Sequence, residues 1–169
     1  MTLESLLKDY TIYNLWANKW IVQWLKTKPL DLMEREVPSS FSSLRATLMH
    51  MWAAEDVWLH RLQGISPTEF ISETFRGANP ELFDQLIQNS ELFKNFTHRQ
   101  SEAFFDQTTE YKHINGQSYE HSNTEIIQHC MQHSAYHRGQ IVTIARNLGL
   151  TDPPKTDFIE YIRQKQLEL

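Results

Sequence analysis

The chain holds 169 residues with a mass of 20.0 kDa, 40% of them hydrophobic and 22% charged, with only 5 Gly and 6 Pro. Such a composition fits one globular domain over residues 1–169 and excludes disordered and collagen-like chains. A net charge of -5 without a Lys/Arg cluster excludes a nucleic-acid footprint, which needs a concentrated basic face, and a single cysteine, Cys130, cannot close an internal disulfide.

The N-terminus carries Glu4, Lys8 and Asp9 where a signal peptide would need an apolar run, so a cytoplasmic protein is expected. No stretch approaches the roughly 18 apolar residues of a membrane span. Leu3, Leu6, Leu7, Tyr10, Tyr13, Ala17, Trp20, Ile21 and Trp24 recur at three and four and predict a first helix over about residues 2 to 27. Pro29 and Pro38 bracket the connection that follows. Ser39, Ser40 and Ser42 are candidate N-caps for a second helix running through Leu44, Leu48, Met51, Val57 and Leu62 to a stop at Gly64.

After a connection marked by Gly64, Pro67, Gly77 and Pro80, the pair Asn79-Pro80 opens a third helix. Its apolar period, from Leu82 and Phe83 to Phe104 and Phe105, persists to about residue 106. Residues 107 to 122 contain Asn115-Gly116 between β-prone residues, which predicts a small hairpin or ordered loop. Asn123 starts a fourth helix that ends at Leu148-Gly149, and Asp157 to Lys165 form a short fifth. Four long helices predict an all-α, antiparallel four-helix bundle with a short C-terminal helix.

Five of the eight histidines lie between His113 and His137. His133 and His137 are four apart, so their imidazoles share one helix face and can converge on one ion. His129 lies one turn back, and three ligands four apart on a straight helix spread over about 12 Å, too far for a single ion. The third ligand must come from another helix. His50, set in the apolar run Leu48-Met49-His50-Met51-Trp52 with Ala46, Thr47, Ala53 and Ala54 nearby, is that candidate. A histidine so placed is either buried neutral with a hydrogen-bond partner or bound to a metal. His60, His98, His113 and His121 are read as ordinary solvent-face or loop residues.

Ser134 follows His133 where a zincin would place a catalytic Glu, and Glu110 to His113 is the only Glu-x-x-His spacing, so metalloprotease and ferritin-like di-iron sites are excluded. Several further residues are candidates for supporting roles. His129, Gln140 and Asn18 could stand behind the ligands, with Asn18 alternatively meeting a core partner or substrate, and Arg138 would enter an ion pair. Gly139, costly inside a helix, is explained by close helix packing or simply tolerated. Trp16, Trp20 and Trp24 form a stripe for core, a dimer face or substrate stacking. Cys130 is read as a small buried hydrophobe.

The run His129-Cys130-Met131-Gln132-His133-Ser134-Ala135-Tyr136-His137-Arg138-Gly139-Gln140-Ile141 resembles the signature helix of the DinB-like superfamily. Tyr13-Asn14-Leu15-Trp16-Ala17-Asn18, His50 with Ala54-Glu55 and Trp58-Leu59, and Pro153-Pro154 with Asp157-Phe158-Ile159 and Tyr161 extend the resemblance over nearly the whole chain. The resemblance implies a four-helix bundle in which His50, His133 and His137 hold a divalent ion, usually zinc or nickel. It also implies frequent homodimers and, for several members, metal-dependent transfer of a low-molecular-weight thiol such as bacillithiol or mycothiol. The superfamily takes its name from damage-inducible expression.

Three neutral imidazoles leave an ion its full double charge, so an open fourth position prefers an anion, thiolate or hydroxide. The ligand set does not choose between thiol transfer to an electrophilic small molecule and metal-dependent hydrolysis. A non-catalytic metal-binding or sensing protein and a metal-free helical dimerisation module are the further readings. Residues 65–78 and 107–122 lie where bundle connections would allow lids over the site.

Overall fold

The computed structural model describes residues 2–167. Thr2 caps α1 (Leu3–Lys26), its hydroxyl accepting the Ser5 amide at 3.1 Å. A 3-10 turn, Leu30–Met33, follows and buries Leu32 and Met33. α2 (Leu44–Leu62) starts from Ser43, which accepts the Ala46 amide at 3.1 Å, and not from Ser39, Ser40 or Ser42. Those serines stay outside the helix because the Val37 amide donates to the Ser42 carbonyl at 2.7 Å and closes a turn there.

The next connection contains a single helical turn, α3 (Ile71–Thr74), and leads to α4 (Asn79–His98). Asn79 does not cap α4; its side-chain oxygen accepts Arg45 Nη1 at 2.7 Å, and Ala78 holds the cap position. The helix expected to run on to residue 106 breaks after His98 and resumes as α5 (Glu102–Asp106). Phe104 and Phe105 keep the apolar period across the break and so hide it in the sequence. The break is held by Lys8 Nζ, which donates to the Gln100 carbonyl at 2.9 Å, and it turns Phe105 into the core beside Leu7 and Ile126.

β1 (Thr108–Lys112) and β2 (Ser118–Ser122) form the antiparallel hairpin, with Tyr111 opposite Tyr119. Its turn uses Gly116 at φ +85, a conformation L side chains rarely adopt. Ser122 and Glu125 make a reciprocal cap for α6 (Asn123–Asn147), and α7 (Phe158–Leu167) closes the described chain. No helix among the described residues is long and apolar enough to cross a membrane.

The all-α four-helix bundle expected from the sequence is formed by α1, α2, α4 and α6. α1 packs on α4 and α6, as does α2, leaving α1 and α2 on a diagonal. Lys26 meets Asp84, Asn18 meets Ser90 and Lys8 meets Gln100, so α1 and α4 run antiparallel. α2 and α6 are antiparallel as well, with His50 beside His133 and Trp58 beside His129. Arg45 with Asn79 and Glu55 with Ser90 show that α2 and α4 run the same way, so this pair departs from the antiparallel arrangement expected from the sequence. The connection over 63–78 permits this, since it can reach roughly 50 Å against about 28 Å for the 19 residues of α2.

The core has two apolar halves. One gathers Ile21, Leu25, Leu48, Met51, Phe83 and Ile141, and the other Leu7, Leu62, Phe93, Phe105, Ile127 and Met131. Between them, Asn14, Asn18, Glu55, Ser90 and Arg138 form a buried polar layer that reaches all four bundle helices.

Candidate metal centre

His133 and His137 project from one face of α6, as their spacing requires, and His50 meets them from α2 across the antiparallel pair. His133 Nε2 lies 3.0 Å from His50 Nε2 and 3.0 Å from His137 Nε2. Each residue offers one ligand atom, and these atoms all lie within 4.8 Å of one another. Two imidazoles bound to one ion at about 2.1 Å sit roughly 3.0–3.4 Å apart for ordinary coordination angles, so the two 3.0 Å contacts have the spacing of ligands that share one divalent cation, and the third pair lies within 4.8 Å.

Hydrogen bonding alone satisfies this cluster poorly. The Gln140 carbonyl receives His137 Nδ1–H at 2.7 Å, and its amide reaches Ser40 Oγ at 3.3 Å. A neutral His137 therefore presents a bare lone pair at Nε2. His133 Nε2 has one position for a proton or a lone pair and two nitrogen neighbours, so it cannot serve both. A cation accepts all three lone pairs at once.

Burial reinforces the neutral state. It pushes His50 down to about 4, helped by the His137 charge, and His133 down to about 3, helped by His137, His50 and His129. His137 is also lowered by burial, partly opposed by its bond to Gln140. All three imidazoles are then uncharged at neutral pH, the state a metal ligand needs.

Phe41, unremarked in the sequence, stacks on the His50 ring at 4.1 Å and meets His137 edge-on at 5.6 Å. The segment before α2 therefore covers the imidazoles, with Ser40 holding Gln140. Within residues 65–78, Phe75 packs against Trp52. The 107–122 hairpin reaches Trp58, whose ring contacts His129, one helical turn from His133. His129 packs 5.8 Å from His133, ring centre to ring centre, and takes no part in the three-nitrogen cluster.

Asn18 is not behind the ligands either. Its amide donates to Ser90 Oγ at 3.0 Å and its carbonyl accepts Arg138 Nη1 at 2.9 Å. Arg138, 2% exposed, makes no direct ion pair among the described residues, in place of the ion pair expected of it. Its charge is relayed: Asn14 accepts from Arg138 Nη1 at 2.8 Å and donates to Glu55 Oε1 at 2.8 Å, while Ser90 donates to Glu55 Oε2 at 2.7 Å. Burial raises the Glu55 carboxyl to about 7 against the pull of Ser90, Arg138 and the neighbouring amides.

Gly139 shows no close helix packing, since an added Cβ would meet nothing within 4 Å. Cys130 is buried, and burial raises its thiol well above the usual value, which suits a core hydrophobe. The tryptophan stripe spreads along the C-terminal segment: Trp16 Nε1 donates to Gln164 at 3.0 Å, Trp24 Nε1 to Asp152 at 3.3 Å, and Trp20 is 41% exposed. His60 contacts Asp56, His98 the Lys8 carbonyl, and His121 the Tyr111 hydroxyl, all away from the cluster.

Protein DinB of Bacillus subtilis (strain 168) is 23% identical over 163 residues, which cover 92% of this chain and 93% of that protein. A DinB-like protein from Bacillus cereus ATCC 10987 superposes with a TM-score of 0.63 at 16% identity, over 82% of this chain and 89% of its own. A DinB-like protein from Bacillus subtilis gives 0.64 at 13% identity, over 88% and 97%. Both likenesses concern the fold. The sequence model of the DinB family matches residues 3–168 and thus nearly the whole length, so the chain belongs to the DinB family.

Proposed function

We propose that His50, His133 and His137 hold a divalent ion, zinc or nickel, and that the centre serves transfer of a low-molecular-weight thiol to an electrophilic small molecule. The observation that carries this reading is the convergence of three imidazole nitrogens whose mutual contacts cannot all be hydrogen bonds. A divalent ion held there supplies Lewis acidity, lowering the pKa of a thiol or water presented to its open side.

The chain's own residues prepare that chemistry in three ways. Burial keeps the imidazoles neutral, so the site carries no anionic ligand and favours an incoming anion such as a thiolate. Gln140 fixes the His137 tautomer by accepting its Nδ1 proton. Phe41 covers one face of His50 and limits water on that side.

The test is a screen of metal-loaded protein against paired thiols and electrophiles, following thiol consumption. Turnover by the wild type that disappears in His133→Ala is the expected result. Metal-loaded protein silent across the whole panel, or consumption unchanged in His133→Ala, overturns the thiol-transfer reading.

A further inference from the structure

The opposite side of α6 carries a second concave feature, unrelated to the imidazole cluster. Ala135, Arg138, Gly139, Val142 and Arg146 fall on one face of the helix, turned away from His133, His137 and Gln140 by the 3.6-residue period. The segment from Pro153 to Phe158 runs across from them and encloses a cleft of about 430 Å³. Tyr13 ties wall to floor: its hydroxyl accepts Arg138 Nη2 at 3.3 Å and donates to the Thr156 carbonyl at 2.8 Å. The cleft is therefore built into the fold.

Its charge is lopsided. Arg138, Arg146 and Lys155 line it against one carboxylate, Asp157, in a protein whose net charge is -5. Arg138 is buried and already engaged with Asn14, Asn18 and Tyr13. Arg146 and Lys155 are exposed, and among the described residues neither forms an ion pair. Val142, Pro153, Pro154 and Phe158 supply apolar wall between these cations.

Gly139 lies on the floor. A glycine inside a helix is less favourable than alanine, and no neighbouring helix requires it here, because the space above its Cα is open. What the missing side chain provides is room in the cleft.

We propose that this cleft binds a small organic anion, a carboxylate or a phosphate ester, with its charged head at Arg146 and Lys155. Its apolar body lies over Gly139, between Val142 and the Pro153-Pro154 wall. The proposal does not depend on the metal reading, since none of these residues belongs to the imidazole cluster.

Titration of the full chain with hexanoate, phenyl phosphate and the neutral control hexanamide, at constant ionic strength and followed by NMR chemical shifts, tests it. Saturable binding of at least one anion, with hexanamide at least about tenfold weaker, is expected. A lower dissociation constant for phenyl phosphate would assign a phosphate head, and one for hexanoate a carboxylate head. Gly139→Leu, which fills the floor, and the exposed double variant Arg146→Ala/Lys155→Ala should each weaken binding about tenfold or more. Absence of saturable binding by either anion, equal binding of hexanamide, or undiminished binding in the double variant would overturn the proposal.

Discussion

At His137, the Nδ1 proton is committed to the Gln140 carbonyl at 2.7 Å, and this one bond decides which ring nitrogen faces the cluster. Gln140→Ala is therefore expected to weaken zinc or nickel binding by roughly 10–100-fold, as loss of a ligand's orienting partner does. Asn18→Ala should leave metal affinity unchanged and lower stability by about 1–3 kcal/mol, because it strips partners from buried Arg138 and Ser90. A chelator-competition titration and urea denaturation separate the two. The three-residue offset from His137 is what sets Gln140 on the same side of α6, within reach of that ring. Helical spacing says which face a side chain occupies and nothing of what lies opposite, so it left Asn18 open between the ligands and a core partner; Asn18 meets the core partners Ser90 and Arg138, and His129 packs against His133 outside the three-nitrogen cluster.

Glu55 gives a residue-level pH signature. Burial raises its carboxyl from 4.5 to about 7, so the folded protein retains a proton that the unfolded chain has released. The unfolded state binds fewer protons across that window, and Glu55 therefore makes stability fall as pH climbs from about 4.5 to about 7. The cluster imidazoles, depressed by burial, work in the opposite sense: with metal removed, they cost stability as pH falls below about 6.5. Denaturation curves of chelated wild type and Glu55→Gln between pH 5 and 8 isolate the first effect. The difference between the two proteins should vary with pH in that window, and a constant difference would contradict the assignment.

At the scale of elements, α6 was readable almost completely. The opening at Asn123, the terminator Gly149 and the four-residue histidine spacing are all local features, and local features survive in a sequence, although the cap itself is Ser122 with Glu125. The break between α4 and α5 was not readable, since Phe104 and Phe105 continue the apolar period while the turn depends on Lys8 from a distant helix. Phe41 escaped notice for a similar reason: a lone aromatic in a serine-rich connection gives no period to follow. Within α6, Gly139 is unconstrained by packing, so Gly139→Ala should raise stability by about 1 kcal/mol in urea denaturation. A loss of stability instead would show that a neighbour does approach there.

Over the whole molecule, the composition and periods made the four-helix bundle legible, but the running directions of α1, α2, α4 and α6 were not. They follow from which helices meet across the core, and from a 63–78 connection long enough to carry the chain back along the bundle. The polar layer of Asn14, Asn18, Glu55, Ser90 and Arg138 was equally hidden, being assembled from all four bundle helices. Asn14 and Asn18, four apart on an otherwise apolar helix face, were its faint local trace. Arg138→Ala should cost about 3–5 kcal/mol at pH 8, where Glu55 is ionised and left without its compensating charge, and less at pH 5. An equal cost at both pH values would contradict the relay from Arg138 to Glu55.

The three-histidine centre is tested most directly by metal content and uptake. Tag-free wild type and His50→Ala, both purified without added metal, would be assayed for zinc and nickel and then titrated with each. The expected result is near-stoichiometric binding by the wild type, as purified or on titration, and its loss in His50→Ala, which removes the ligand supplied by α2. Wild-type protein that is empty and takes up neither ion, or a His50→Ala variant that binds as well as the wild type, would contradict it.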